Sequence, residues 1–345
     1  MSQEINELLK DSREKSWRQL EAIRALGEYT DPQVISTLIE LLDVELDATG
    51  FSSEDENWKR IKESHDVRWE ATKSLVRIGE PSVEPLLYTF KKIDQVENII
   101  VDRSVMWALG EIGDERALEP LNRIATTLHG PKDIQTYAMN AMVKIGESSI
   151  SYFIDALKPI EDTRKFRYVL AASALTALGK SSVEALTQAL DPENVEYCRY
   201  IVDILGEIGD LRAVDAFIKL MSLPKGEKEY SNDQYPLEVY YAIREALKKM
   251  GEPATDSLIH ALNNKNEKVR LGAVRALGLL GKPKSVQPLI KATGDDDTNV
   301  SYAALGSLRR TIGELEKLSG NKCVVNMELI TARGLVPEPP SPPRY

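Results

Sequence analysis

The stretch W107-ALGEIGDERALEP-L121 (Trp107 to Leu121) decides the fold. Leu109 stands four residues before Gly113, Ala108 five before it, and Val105, just upstream, eight before it. Those offsets share one face of a 3.6-period helix. Gly113 then suits the position after a helix end, where a left-handed backbone carries no Cβ penalty. A second apolar pattern begins at once and runs from Ala117 to Ala125. The phrase predicts a helix, a tight turn and a second helix.

The same phrase recurs along the chain. Nine glycines close it: Gly27, Gly79, Gly113, Gly146, Gly179, Gly209, Gly251, Gly281 and Gly313, spaced by 52, 34, 33, 33, 30, 42, 30 and 32 residues. Four positions earlier stand Ile23, Leu75, Leu109, Met142, Leu175, Leu205, Leu247 and Leu277. Five earlier the column is mostly small: Ala22, Ser74, Ala108, Ala141, Ala174, Ala246 and Ala276. Clear second-helix copies are Ser82 to Phe90, Ala213 to Met221 and Ser285 to Thr293. Pro81, Pro253 and Pro283 fall in the connecting turn; Pro85, Pro120 and Pro288 fall in the first turn of the second helix, where a missing N–H costs little. A period near 30 residues identifies a repeat array, in which each hairpin buries its apolar face only against its neighbours. No segment alternates with period two, so no sheet is expected.

The two long gaps place insertions near 43–65 and 222–236, each between a second helix and the next first helix. The first is acidic and the second carries Tyr230 and Tyr235. Gln19 and Arg309 occupy columns that are apolar inside the array, as expected of capping units whose outer face meets water. Residues 1–320 therefore read as one solenoid and 321–345 as an extension, whose last nine residues, PEPPSPPRY, suit an extended polyproline-type tail.

Composition bounds the function. The formal net charge of −10 argues against a primary role on nucleic-acid backbones, which need a basic face. The cluster Lys158, Arg164, Lys165, Arg167 is the best basic candidate and reads as a solvated loop. No run approaches the roughly 20 apolar residues of a membrane span, and MSQEINELLKDSREK lacks the apolar run of a signal peptide. Cys198 and Cys323 have no motif spacing and read as reduced thiols. The expectation is a cytoplasmic protein.

Signals for chemistry are sparse. His65, His129 and His260 have neither an adjacent Glu nor a second His four residues away, and no phosphate loop or nucleophile motif occurs. From Asp43 to Glu54, acids at loop positions 1, 3, 5 and 12 approach a calcium-loop spacing, but Ala48 stands where the sharp turn wants glycine, so the stretch reads as a solvated acidic loop. No catalytic residue, metal or cofactor is expected.

Two second-helix columns remain. Glu84, Glu119, Glu184, Asp215 and Asp256 sit in first turns and complement the helix dipole. Four residues later come Tyr88, Arg123, Asp155, Gln188, Lys219, His260 and Lys291, whose varied chemistry has no local explanation. This column is the candidate partner-binding stripe. Tyr168, Tyr240 and Tyr302 share a position eleven before the glycine, with Arg68 and Arg270, and are expected to pack between units.

Phrases such as the opening one, ILGEIGDLRAVDAF (204–217) and KVRLGAVRALGLLGKPKSVQPLI (268–290) resemble the HEAT-like repeats named after phycobilin (PBS) lyases, over roughly 17–318. The resemblance implies an all-α fold: a right-handed α-solenoid, or alpha-alpha superhelix, of about nine HEAT-like helical hairpins. Similar proteins include bilin lyase subunits, phycobilisome-degradation factors, deoxyhypusine hydroxylases and alkylpurine DNA glycosylase relatives. The hydroxylases hold two irons with His-Glu pairs, which this chain lacks; the glycosylase relatives need a basic groove. The leading expectation is a non-enzymatic scaffold or adaptor presenting a concave helical surface to a protein partner. The alternative is a bilin-lyase-type factor that attaches or removes a chromophore, or a chaperone of a chromophore-bearing protein, with a linear tetrapyrrole as ligand.

Overall fold

The computed structural model describes residues 3–14, 18–43, 54–93, 99–126, 132–158, 165–223 and 237–319. The acidic stretch 44–53, the second insertion over 224–236, the proline-rich tail, His129, Arg164 and Cys323 lie outside the described residues. Among the described residues all regular structure is helical, and the fold is of the all-α solenoid class.

Contacts divide the chain into two compact units, Met1–Ala156 with Asp162–Leu178, and Leu157–Glu161 with Gly179–Tyr345. The first holds α1 (Gln3–Arg13), α2 (Gln19–Leu26), α3 (Pro32–Glu40), α4 (Glu54–Ile78), α5 (Val83–Ile93), α6 (Ile99–Ile112), α7 (Leu118–Ala125), α8 (Lys132–Ile145), α9 (Ile150–Leu157) and α10 (Lys165–Leu178). The second holds α11 (Val183–Gln188), α12 (Val195–Ile208), α13 (Ala213–Ser222), α14 (Leu237–Met250), α15 (Glu252–Ala261), α16 (Glu267–Leu280), α17 (Val286–Ala292) and α18 (Thr298–Ser319).

Each repeat glycine except the two outermost has a positive φ. Gly79, at φ 77° and ψ −133°, occupies a region essentially closed to other residues; only some of these glycines, Gly209 and Gly281 among them, are left-handed as expected. The Gly79 N–H donates to the Leu75 carbonyl at 3.1 Å, and Gly113, Gly209 and Gly281 bond likewise to Leu109, Leu205 and Leu277. The residue four before the glycine thus serves twice: its carbonyl closes the helix and its side chain, with no exposed surface from Ile23 through Leu277, fills the core. Gly27 departs from the pattern with φ −64°, and Gly313 lies inside α18, which runs on to Ser319.

Other expectations need correction. Residues 54–65 of the first insertion are not loop but the first turns of α4. Pro253 lies in the first turn of α15, so Gly251 alone ends α14. Gln19 is only partly open to water: α1 packs on α2, and the Gln19 amide donates to the Ser12 carbonyl at 3.0 Å. Arg167–Gln188 is long and apolar enough by composition for a membrane span. It is broken by Gly179 at φ 60° into α10, a 3-10 turn and α11.

The small column lets first helices touch. A Cβ on Gly110 of α6 would stand 2.8 Å from Ala141 Cα of α8, and one on Gly206 of α12 would stand 2.6 Å from Ala246 Cβ of α14. In the second unit α14 packs on α12, whereas α16 packs on α13, close enough that a Cβ on Gly272 would meet the Ile218 carbonyl oxygen at 2.1 Å.

Ion pairs tie the turns together. The Asp114 carboxylate accepts from the Arg116 backbone N–H at 2.9 Å and from its guanidinium at 2.9 and 2.7 Å, while Arg116 reaches Glu80 of the preceding hairpin at 2.7 Å. Arg212 repeats this with Asp210 and donates to the Lys180 carbonyl at 2.7 Å. Arg270 grips Asp295 in a two-pronged bond of 2.8 and 2.9 Å, with both side chains largely covered.

Substituting Gly110 or Gly206 by Ala should destabilise by about 1–3 kcal/mol, because the neighbouring backbone must move. The same change at exposed Gly306 within α18, where nothing lies within 4 Å of the added methyl, should stabilise by about 0.5–1 kcal/mol through helix propensity. Urea melts of the three variants check the opposite signs.

The Arg270 bond holds the Asp295 carboxyl below its ordinary range. A depressed folded value contributes stability above the unfolded pKa, about 3.9, and loses it as pH falls through the folded value. Asp295→Asn should therefore cost about 1–3 kcal/mol at neutral pH, with the variant and parent stability curves drawing together as the pH falls through the lowered folded value. Denaturation measured from pH 7 to 2 reads both limits.

Candidate functional site

The first unit presents an aromatic patch built by helical spacing. Trp69 and Lys73 lie one turn apart on α4, as do Arg103, Trp107 and Glu111 on α6; α8 carries Asp133, Tyr137 and Lys144. Residues four apart share a helix face, and α6 packs against both α4 and α8. The Trp69 and Trp107 rings meet with centroids 4.7 Å apart at a 48° tilt.

Cations bracket these rings. Lys73 Nζ lies 5.8 Å from the Trp69 centroid, Lys144 Nζ 5.7 Å from that of Trp107, and Arg103 Cζ 5.4 Å from that of Tyr137. Each cation also has a carboxylate: Lys73 pairs with Glu70, Lys144 with Glu111 and Arg103 with Asp133. Arg24 of α2 also bonds Glu70, lowering its pKa and fixing the α4 end of the patch. The patch is therefore close to neutral and rigidly held, yet Trp69 and Tyr137 each keep 41% of their surface exposed.

The second-helix column is where the repeat places it, on the surface. Tyr88, Arg123 and Asp155 lie exposed on α5, α7 and α9 of the first unit; Gln188, Lys219, His260 and Lys291 lie exposed on α11, α13, α15 and α17 of the second. Gln188 donates to Glu184 at 3.3 Å. The first-turn acids also do more than complement dipoles: Glu84 accepts from Arg116 at 3.3 Å and Asp256 from Lys284 at 2.5 Å.

The tyrosine column does not behave as one set. Tyr302 is 52% exposed, against the expectation of packing, while Tyr168 and Tyr240 are half-buried. Arg68 in that column is buried and donates to the Leu42 carbonyl at 2.9 Å. Of the basic cluster, Arg167 donates to the Asp155 carbonyl at 3.4 Å.

Sequence reasoning missed the tryptophan pair because its members fall in different columns, ten and six residues before their glycines. The available signal was their one-turn offset on adjacent first helices. Among the described residues no group of three or more His, Cys, Asp or Glu is placed to hold a metal ion. Burial pushes the Cys198 thiol up to about 12, so it stays protonated and unreactive at neutral pH.

Comparison with known proteins identifies the repeat. The PBS lyase HEAT-like repeat model matches residues 19–43 and 103–125, and the HEAT repeats model matches 228–318. No curated protein matches this chain in sequence. Among solved structures, human deoxyhypusine hydroxylase in complex with glycerol aligns at 15% identity, covering 90% of this chain and 96% of that one, with a TM-score of 0.29. The CpcE–CpcF complex of phycocyanin lyase from Nostoc sp. aligns at 18% identity, covering 80% and 93%, with a TM-score of 0.32. The glycine-ended hairpins and the two repeat models agree: the chain carries HEAT-like repeats of the PBS lyase type.

Proposed function

We propose that this protein is a non-enzymatic scaffold that binds a protein partner. The observation that carries the proposal is the Trp69–Trp107–Tyr137 patch, in which Trp69 and Tyr137 are exposed and Trp107 is half-buried. Tryptophan, tyrosine and arginine dominate the energy of protein interfaces because they bury large area with little lost freedom. Here Lys73, Lys144, Arg103 and their carboxylates hold the rings in place before any partner arrives. Preorganised side chains lose less entropy on association. The helices beneath supply a stiff base, since their backbones meet through glycine and alanine.

The exposed column from Tyr88 to Lys291 is the second surface of this proposal, with Tyr88 and Arg123 its strongest members by the same reasoning. The match to PBS lyase HEAT-like repeats at 19–43 and 103–125 favours one other function, that of a bilin-lyase-type factor or a chaperone of a chromophore-bearing protein.

Affinity capture from native lysate, followed by mass spectrometry, names the partner; purified partner then separates the surfaces. Trp69→Ser with Tyr137→Ser should weaken binding at least tenfold, as for interface hot spots, at a cost of about 1–3 kcal/mol in stability for the lost ring contacts, with the folding transition retained. Retained binding in that variant, with loss in Tyr88→Ala with Arg123→Ala, assigns recognition to the second-helix column. Retained binding in both sinks the scaffold surfaces named here. A visible absorbance shift on adding a linear tetrapyrrole supports the lyase-type function instead.

A further inference from the structure

A different surface, on the second unit, gathers positive charge on a chain whose net charge is −10. Arg244 of α14, Arg275 of α16 and Arg310 of α18 converge around Tyr240. The Arg310 guanidinium donates to the Tyr240 hydroxyl, and its Cζ stands 5.6 Å from the Tyr240 ring centroid. Arg275 Nη1 donates to the Met221 and Leu223 carbonyls at 2.7 and 3.2 Å, which cap the end of α13, and Tyr240 lies near enough to act on its charge. Arg244 follows Tyr240 by one turn; its Nη2 is 3.8 Å from Glu314, and its Nε is buried with no hydrogen-bond partner among the described residues.

The local charge does not balance. Lys248 and Lys317 stand beside the same Glu314, and Lys317 already bonds it at 3.2 Å. Lys248 bonds Glu245 at 2.8 Å. Among the described residues the ion pairs of these five cationic side chains are made with two carboxylates, Glu245 and Glu314, and neither Arg275 nor Arg310 has one. A partly buried guanidinium without a counter-charge is costly. Arg275 has the α13 carbonyls to bond, but nothing in helix packing asks for Arg244 and Arg310 beside it. The repeat itself supplies no reason either, because the three arginines fall in different columns, seven, six and three residues before their glycines.

We propose that α14, α16 and α18 form an anion site for a phosphomonoester, bound by Arg244, Arg310 and the Tyr240 hydroxyl, with Arg275 positioned behind them by the α13 carbonyls. Guanidinium forks match the oxygens of phosphate two at a time, and the hydroxyl adds a further donor. A phosphomonoester carries nearly two charges at neutral pH and three acceptor oxygens. That suits the excess of cations better than a carboxylate, which brings one charge. Arg310 is exposed, and Arg244 keeps 28% of its side chain in solvent, so the ligand enters from the surface.

Calorimetry on the full chain with phenyl phosphate, phenyl sulfate and inorganic phosphate tests this site independently of the partner surface on the first unit. Phenyl phosphate should bind with a Kd below about 1 mM at pH 7.5. Arg310→Gln and Arg244→Gln should each weaken it about tenfold, as expected for a lost charge-assisted bond, with unchanged melting temperature. Binding should also weaken at pH 5, where the second phosphate proton, of pKa about 6, is back in place, and phenyl sulfate should bind less tightly throughout. No binding of phenyl phosphate, equal affinity in both arginine variants, or equal affinity for phenyl sulfate overturns the site. Equal affinity for inorganic phosphate overturns the ester assignment and leaves the free ion as ligand.

Discussion

A Cβ placed on Gly206 would lie 2.6 Å from the Cβ of Ala246, so where α12 meets α14 the Gly206 side has room for nothing larger than hydrogen. The same holds for Gly110 against Ala141 and, in α16 and α18, for Gly278 against Ser307, whose Cβ would be 2.3 Å away. This close approach is the constraint on which the rest depends. It brings the columns of Leu109, Leu205 and Leu277 into full burial. It also places outward residues of neighbouring first helices within contact range. Larger side chains at these positions would separate the helices and open voids that a close-packed interior does not tolerate.

Charge in this fold is mostly spent locally. Asp114 with Arg116, and Asp210 with Arg212, each lock one turn and then reach back to the preceding hairpin. Arg68, Arg270 and Arg275 bond backbone carbonyls near the ends of second helices, groups that a helix terminus leaves open. Most arginines therefore have a structural task. Arg244 and Arg310 differ, since among the described residues one stands 3.8 Å from Glu314 and the other rests on a tyrosine hydroxyl, and neither bonds a backbone carbonyl. They stand where α16 has shifted its packing to α13, beyond the second insertion in the chain.

The fold was legible in the sequence because its signals are short-range. Gly113 ends a helix through its own φ and a bond to Leu109, four residues away, and that spacing can be counted in the chain. Even the failures are local: Gly27 keeps a helical φ of −64°, and Gly313 has no second helix to turn toward among the described residues. The exposed column from Tyr88 to Lys291 was legible for the same reason, since residues on one helix face recur at known offsets. Trp69 with Trp107, and Tyr240 with Arg310, were not. Their partners are 38 and 70 residues apart and occupy unlike repeat positions.

The sequence by itself therefore determined the helical hairpin, its glycine stop, its buried leucine column and its surface stripe. These follow from backbone sterics and helical periodicity, which act over a few residues. Tertiary structure alone decided that two tryptophans should stack, that α16 should settle on α13, and that three arginines should crowd one tyrosine. Those outcomes depend on the distance and rotation between stacked helices. Such quantities are set by the summed packing of many side chains, and no single repeat phrase encodes them.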